Sequence, residues 1–319
     1  MSGEKSKSSG ETGENIISKF FERIGWPNSD SNIYFNCCFG DTHKEKKAKG
    51  PRTKHGIDEY FCYMSGLETD TVIQILASVK HTTSSYPKSL TDLVKAHIDD
   101  IVYASTCFKA SEQNNKPYTL FAGKPVKNVK RIPVLFFLSS YDEPDKNYAQ
   151  YLNNTQYFKK YDDLEEFYFV DNHKITFMLK AMDHVYNKYR DYDIYFSHTQ
   201  TNLNSMTLDQ RSYSKTMPVE YLTLPYISFV LKKGHEGEEV FKFITITSEP
   251  FSQDGLSRYT YMSKHETADK VSSMTIAFPD YFKDEHQAEV NSVMTIHSLS
   301  QNNFSVENYI PNFRNLNND

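Results

Sequence analysis

Two charged residues, Asp58 and Lys80, stand in stretches of the chain that otherwise have the composition of β-strands. Asp58 lies in a run rich in aromatic and β-branched residues, 57–64, and Lys80 follows a nearly continuous apolar run, 71–79. A short polar connection separates the runs, which predicts an antiparallel pair. Because side chains alternate between the faces of a strand, Lys80 shares a face with Ser78. If Asp58 lies opposite the end of the second strand, the two charges meet at a sheet edge, either as a salt bridge or as a metal-dependent active site.

The segments around this pair predict six elements in the order helix, strand, strand, strand, helix, strand. Apolar residues recur at helical spacing in both predicted helices, and the last strand is a continuous apolar run that is typical of a buried strand. The four elements beside the central pair are a helix within 13–25, a strand at 32–39, a helix at 90–109 and a strand at 132–139. Residues 1–12 are polar, with nothing to bury, and are predicted to be a disordered leader.

This order of elements, with an aspartate on the second strand and x-Val-Lys closing the third, resembles the PD-(D/E)xK nuclease superfamily. The resemblance covers residues 13–140 and implies the α/β fold of many restriction endonucleases, a mixed sheet flanked by helices in the order α-β-β-β-α-β. It implies that Asp58 binds a metal ion and that Lys80 is the catalytic lysine. Glu14 matches the acidic residue that many members have on the first helix. Ser78 stands where the family usually has Glu, Asp or sometimes Gln.

The chemistry that the resemblance implies requires these residue types. Hydrolysis of a phosphodiester needs a water that is nucleophilic near neutral pH and compensation of the charge that develops on the phosphoryl oxygens. Mg²⁺ or Mn²⁺ would bind to Asp58, to the backbone carbonyl of Val79 and to Glu14, since these ions prefer oxygen ligands. Lys80 would orient the water or help to deprotonate it. Ser78 brings a hydroxyl and no charge, so we expect weaker metal binding than at a site with two carboxylates.

Two further polar residues of the strands could compensate for the missing carboxylate, but their positions disfavour both. Glu59 faces opposite to Asp58 if the strand is regular. Gln74 shares the face of Lys80, but roughly 20 Å separates the two at the rise of a strand. Glu14 therefore remains the predicted second acidic ligand.

A basic run follows the first predicted strand and leads directly into Asp58. The formal net charge of −5 gives no global attraction to nucleic acid, so binding would need a local basic patch of this kind. The run could hold a phosphate backbone and deliver it to the site, although a charge run is also typical of a solvated loop. The predicted nucleic-acid-binding residues are Lys46, Lys47, Lys49, Arg52, Lys54 and His55.

The cysteines and the hydropathy of the chain bear on its compartment. Cys37, Cys38, Cys62 and Cys107 show no CxxC spacing and are interpreted as reduced core cysteines of a cytoplasmic protein, in preference to zinc ligands or disulfide partners. No apolar run approaches the roughly 18 residues of a membrane span, so no membrane association is predicted. His97 falls in the apolar stripe of the second helix and is interpreted as a core histidine.

Residues 141–319 predict a second α/β region. The patterns favour a β-α-β unit at 166–196, a hairpin within 221–247 whose turn holds His235, and a strand at 272–278 between two helices. No Walker-type loop, GxSxG elbow or HExxH sequence occurs, and the polar loop 199–204 shows no second chemistry. This region would extend the first sheet, form a substrate platform or provide a partner interface.

Together these patterns predict a metal-dependent nuclease that hydrolyses phosphodiester bonds of DNA, with RNA as the other candidate substrate. The local sequences HGID and SVKHT further resemble nuclease-like components of bacterial anti-phage defence systems, which implies a role in antiviral defence and a second protein subunit as partner. The alternative is a catalytically inactive, nuclease-derived subunit that binds nucleic acid or assembles with a partner, for which Ser78 is the main reason. A third interpretation is an effector that is silent until a second protein or invading DNA is present.

Overall fold

The fold was obtained as a computed structural model, and it forms two compact units, residues 1–176 and 177–319. The predicted domain boundary at residue 140 thus falls inside the first unit. No helix among the described residues is long and apolar enough to cross a membrane. The structure describes residues 2–45, 48–152, 155–161, 164, 166–198, 213–234, 239–268 and 270–314.

The first unit is built on a five-stranded mixed sheet with strand order β1-β2-β3-β4-β5. β2 is antiparallel to β1 and to β3, whereas β4 is parallel to β3 and to β5. This arrangement confirms the predicted restriction-endonuclease-like core. The strands are β1 (Asp30–Asn36), β2 (Lys54–Met64), β3 (Thr71–Thr82), β4 (Asn128–Ser139) and β5 (Tyr168–Val170), and the helices are α1 (Ser2–Arg23), α2 (Asp92–Phe108) and the short α3 (Lys116–Leu120).

The two long helices cover opposite faces of this sheet, as neighbouring residues of β4 show. Phe136 packs edge-on against Phe20 and Phe21 of α1. Phe137 points to the other face, where its ring lies beside His97 of α2. Burial on both faces explains why β3 and β4 read as almost continuous apolar runs.

Helix α1 begins at Ser2, so residues 2–12, predicted to be a disordered leader, are helical in the structure. Tertiary contacts with the end of β3 explain the difference. Ser9 Oγ lies 2.8 Å from His81 Nδ1. One turn further on, Gly13 lets the helix approach so closely that a Cβ added there would lie 2.6 Å from His81 Cβ and 3.2 Å from Val79 Cγ1. Polar composition alone does not reveal such a contact.

This close approach predicts opposite effects for two glycine substitutions in the same helix. Gly10→Ala should stabilise the protein by about 0.5–1 kcal/mol, because alanine is the better helix former and a Cβ at Gly10 meets nothing within 4 Å. Gly13→Ala should instead destabilise it by about 1–3 kcal/mol, because the atom it meets is at the root of the His81 side chain and cannot swing away. Denaturant unfolding of both variants checks this; equal stabilisation by both would show that α1 does not pack on β3.

The second unit has its own six-stranded sheet, with order β11-β10-β9-β8-β6-β7. The predicted β-α-β unit is therefore divided, because β5 joins the first sheet and β6 joins the second. The predicted hairpin is β8 and β9, but its turn at His235 and the polar loop 199–204 lie outside the described residues. The strands are β6 (Asp193–Ser197), β7 (Tyr213–Ser214), β8 (Tyr226–Lys233), β9 (Val240–Thr247), β10 (Ser273–Phe278) and β11 (Phe304–Asn308), and the helices are α4 (Asn172–Lys188), which spans the boundary, α5 (Gln253–Thr267) and α6 (Lys283–Ile296).

Candidate active site

The predicted charge pair lies where β2 and β3 stop pairing with each other. Their antiparallel register runs to the pair of Glu59 and Ala77. One step beyond, the Asp58 carboxylate takes the place of a backbone partner and accepts a hydrogen bond from the Val79 N–H, with 2.6 Å between N and Oδ2. Because β3 continues to pair with β4 as far as Thr82, this end of β3 stays rigid while its other edge is free for chemistry.

One oxygen of the Asp58 carboxylate, Oδ2, contacts all three neighbouring residues of the site. Oδ2 accepts hydrogen bonds from the Val79 N–H and from Ser78 Oγ, the latter at 3.2 Å, and lies 3.7 Å from Lys80 Nζ. Among the described residues, no hydrogen bond or ion pair involves Oδ1. The side chains of Asp58 and Lys80 are 22% and 29% exposed. The carboxylate is therefore held in one orientation, with its second oxygen available to a ligand from solution.

Ser78 acts on this carboxylate and is itself 3% exposed. Its hydroxyl donates to the oxygen that Lys80 also approaches, so it fixes the orientation of Asp58 without adding a charge. The residue that departs from the usual family pattern is thus in direct contact with the predicted metal ligand.

The backbone carbonyl of Val79 also faces this region. In a β-strand the N–H and the C=O of one residue point to the same side, as the paired bonds of an antiparallel ladder show. Since the Val79 N–H points at Asp58, the Val79 carbonyl lies on the same side of β3. The predicted ligand set requires this direction.

Glu14 lies on helix α1 and not on the two strands that carry Asp58 and Lys80. It is half-buried on α1 and follows Gly13, which packs on Val79 and His81. Those two residues alternate with Lys80 along β3, so α1 covers the face opposite to the Lys80 side chain. Within the described part of the chain, no hydrogen bond or ion pair joins Glu14 to Asp58 or Lys80. Its role as a second acidic ligand stays a prediction.

Glu59 and Gln74, which the sequence disfavoured as substitutes for the missing second carboxylate, have structural roles. Glu59 is 2% exposed and accepts hydrogen bonds from Ser29 Oγ and Ser31 Oγ, at 2.6 and 3.0 Å. Gln74 is fully buried and donates to the Tyr60 hydroxyl. Among the described residues, neither side chain forms a hydrogen bond or an ion pair with Asp58 or Lys80.

Two histidines lie near Lys80 in different ways, His97 through space on the same face of β3 and His81 next in sequence on the opposite face. Burial, together with the positive charge of Lys80, lowers the pKa of His97 to about 4, so its ring is neutral near pH 7. This agrees with the interpretation of His97 as a core or boundary histidine. His81 was not singled out by the sequence, yet its ring nitrogens lie 2.8 Å from Ser9 Oγ and 2.6 Å from Ser140 Oγ. The only sequence signal for it was its place directly after Lys80.

The residues of the predicted nucleic-acid-binding set lie in different environments. Lys49 and Lys54 are exposed, as a phosphate contact requires, whereas Lys46 and Lys47 lie outside the described residues. Arg52 forms an ion pair with Asp100 of α2 and is only 15% exposed. His55 is 1% exposed and lies beside Phe35, His43 and Cys107, so its side chain is not placed to contact a phosphate.

A mixed sheet between two helices, with an aspartate and a lysine brought together at the open end of its second and third strands, defines an α/β protein of the PD-(D/E)xK type. Residues 1–174 match the family described as the GAPS4 protein PD-(D/E)XK nuclease domain. The match covers more than half of the 319 residues, and the chain belongs to this family of nuclease domains. Its end at residue 174 nearly coincides with the end of the first unit at residue 176. No curated protein matches the chain.

Proposed function

We propose that the first unit is a metal-dependent nuclease that hydrolyses phosphodiester bonds of DNA at a site formed by Asp58 and Lys80. The observation that carries the proposal is the asymmetric use of the Asp58 carboxylate. Oδ2 is held by the Val79 N–H at 2.6 Å and by Ser78, with Lys80 Nζ at 3.7 Å, while Oδ1 takes part in no hydrogen bond or ion pair among the described residues. A simple structural ion pair does not need a carboxylate that is fixed so firmly by one oxygen.

The residues present fit a hard divalent cation with an incomplete protein ligand set. Asp58 Oδ1 and the Val79 carbonyl would hold Mg²⁺ or Mn²⁺, with water and phosphate oxygens at the other positions and Glu14 as a further ligand. When bound, such an ion lowers the pKa of a coordinated water and compensates charge on the phosphoryl group. Lys80 Nζ, on the same face and next to this carboxylate, positions the attacking water and donates to the oxygen on which negative charge develops.

Because Ser78 is neutral, the site has one negative charge fewer than a site with two carboxylates. The Lys80 ammonium 3.7 Å from Asp58 further reduces the negative potential that a cation meets. We therefore expect a requirement for high Mg²⁺ concentrations. Mn²⁺, which binds nitrogen and oxygen sites more tightly than weakly held Mg²⁺, should support cleavage better.

A nucleic acid is proposed as the substrate because exposed Lys49 and Lys54 lie on the segment that leads into β2 and Asp58. DNA is the first candidate, since the fold resembles that of many restriction endonucleases, and RNA is the second. Phosphate contacts of this kind supply affinity without reading sequence. The resemblance of the HGID and SVKHT segments to components of anti-phage systems supports a cytoplasmic role in defence, together with a second protein subunit. The second unit would then serve as a substrate platform or partner interface.

A second function is favoured by two specific observations. Ser78 replaces a carboxylate, and Glu14 makes no polar contact with Asp58 in the described residues. Both fit a nuclease-derived subunit that binds nucleic acid or assembles with a partner but no longer cuts.

The test uses the purified full-length chain with end-labelled linear DNA, circular DNA, single-stranded DNA and RNA, each with Mg²⁺, Mn²⁺ or EDTA. The proposal expects cleavage of at least one DNA substrate with a metal and none with EDTA. Binding without cleavage of any substrate supports the inactive subunit and contradicts a self-sufficient nuclease. Cleavage that starts only after a second protein from the same system is added supports the silent effector. Cleavage of RNA alone would overturn the choice of DNA.

A further inference from the structure

Away from Asp58, four potential metal ligands converge inside the first unit. They are Cys37, directly after β1, His43 in the following connection, His55 near the start of β2 and Cys107 near the end of α2. One ligand atom from each lies within 4.8 Å of all the others. His43, His55 and Cys107 are buried and Cys37 is half-buried, so the cluster is largely shielded from solvent.

Four of the six distances between the ligand atoms match the edges of a tetrahedron around a zinc ion, and the other two, from His55 to the sulfurs, are within 4.8 Å. Zinc bonds of about 2.3 Å to sulfur and about 2.0–2.1 Å to nitrogen, at tetrahedral angles, separate two sulfurs by about 3.8 Å, two nitrogens by about 3.3 Å and a sulfur from a nitrogen by about 3.5 Å. The Cys37 and Cys107 sulfurs are 4.0 Å apart, and His43 Nδ1 is 3.4 Å from His55 Nε2. The same Nδ1 is 3.5 Å from the Cys37 sulfur and 3.4 Å from the Cys107 sulfur.

Hydrogen bonding does not explain this convergence. A ring nitrogen of histidine carries either one proton or one lone pair in the plane of the ring, and so takes part in a single good hydrogen bond. His43 Nδ1 nevertheless has three close polar neighbours, Cys37, Cys107 and His55. A cation at their centre gives each of the four atoms one favourable partner.

A disulfide explains the cluster no better. The two sulfurs are nearly twice as far apart as the roughly 2.05 Å of a disulfide bond, and both cysteines are free. A disulfide would also leave the convergence of the two imidazoles without a cause.

The surroundings hold the ligand atoms in place. The backbone N–H of Cys38 donates to the Cys107 sulfur at 3.2 Å, which fixes the position of that sulfur. The ring of Tyr103 stacks on His43 with centroids 4.2 Å apart and planes 11° from parallel. Four protein ligands in a closed setting leave no position for water, which is the pattern of structural zinc and not of catalytic zinc.

We infer that Cys37, His43, His55 and Cys107 bind one zinc ion, which ties the basic connection between β1 and β2 to helix α2. The ion fixes Cys37 and His43 of that connection and His55 near the start of β2, while Lys49 in the connection and Lys54 at the first position of β2 stay exposed. The interpretation of Cys37 and Cys107 as ordinary core cysteines is thereby replaced, whereas buried Cys62 and exposed Cys38 stand apart from the cluster.

The test is the metal content of the untagged full-length protein, measured by mass spectrometry after gel filtration without chelator. We expect one zinc per chain, near-complete loss of zinc in Cys37→Ser and Cys107→Ser, and full retention in Cys38→Ser, a matched control one residue away. Zinc should also be retained in Asp58→Asn, so this result is independent of the nuclease proposal. Removal of zinc should lower the melting temperature, because binding free energy at a structural site is folding free energy.

A second readout covers ligand variants that fail to fold. Wild-type protein loaded with Co²⁺ should show the intense visible absorption of a tetrahedral ion together with a thiolate charge-transfer band. Absence of zinc, absence of this spectrum and a melting temperature unchanged by chelator would together overturn the inference. A Cys37–Cys107 disulfide found by peptide mapping of freshly prepared protein would overturn it as well.

Discussion

Replacing Lys80 by methionine is expected to lower the rate of phosphodiester cleavage by a factor on the order of 10³ with little change in stability. Methionine keeps most of the length of the side chain but removes the charge that lies 3.7 Å from Asp58, and with it the donor that we propose for the reacting phosphate. Loss of one preorganised donor to a developing oxyanion typically lowers kcat by about 10²–10³. Stability should change by less than about 1 kcal/mol, because an ion pair exposed to this degree contributes little.

The affinity of Lys80→Met for Mn²⁺ distinguishes a role of Lys80 in the reaction from a purely structural role. Removal of a positive charge beside Asp58 should leave the affinity for Mn²⁺ unchanged or raise it, even though cleavage is lost. Lys95→Met is the matched control, because Lys95 lies on the same unit in an exposed pair with Asp92 of the same helix. Cleavage by Lys80→Met at the wild-type rate would remove Lys80 from the reaction.

Asp58→Asn should abolish cleavage because it weakens the binding of the metal, which is the opposite of the effect expected for Lys80→Met. The amide keeps an acceptor for the Val79 N–H, which is 2.6 Å from the carboxylate in the native protein. It removes, however, the negative charge of Asp58 that would attract the cation. Affinity for Mn²⁺ should therefore fall together with activity, and a higher metal concentration should restore little. Stability should drop by about 1 kcal/mol, because a neutral hydrogen bond of about 0.5–1.5 kcal/mol replaces one to a charged group of about 1.5–3 kcal/mol.

The adjacent residue supplies the control for this substitution. Glu59→Gln changes a buried carboxylate that accepts from Ser29 and Ser31, so it should lower stability without changing the rate of cleavage by the folded protein. Isothermal titration with Mn²⁺ and unfolding curves for both variants measure the two effects separately. If Asp58→Asn bound Mn²⁺ as tightly as wild type, the metal would have to lie elsewhere.

The core of the fold was predictable because each element carries its own pattern. Burial on both faces makes β3 a continuous apolar run, and the alternation of its side chains places Ser78 and Lys80 on one face. The pair of Asp58 and Lys80 followed from these local rules once the hairpin was recognised. Family membership then confirmed what the order of elements implied.

What the sequence did not reveal depends on contacts between distant segments. The rotation of α1 about its axis is set by the packing of Gly13 on His81, and this rotation decides where Glu14 points. The ligands of the zinc cluster come from two strand ends, one connection and one helix, with irregular spacing that no short motif describes. His55 seemed to extend a basic run, but the alternation of β2 turns its ring inward.

The most direct test of a nuclease site at Asp58 and Lys80 is a comparison of single-turnover cleavage rates with saturating protein and Mn²⁺. Wild type, Asp58→Asn, Lys80→Met, Glu59→Gln and Lys95→Met are compared on the same DNA, each first shown to be folded and to bind that DNA. We expect cleavage by wild type and both controls, and at least about a 10²-fold slower reaction in the two site variants. Cleavage by Asp58→Asn and Lys80→Met at the wild-type rate would contradict the assignment of the active site.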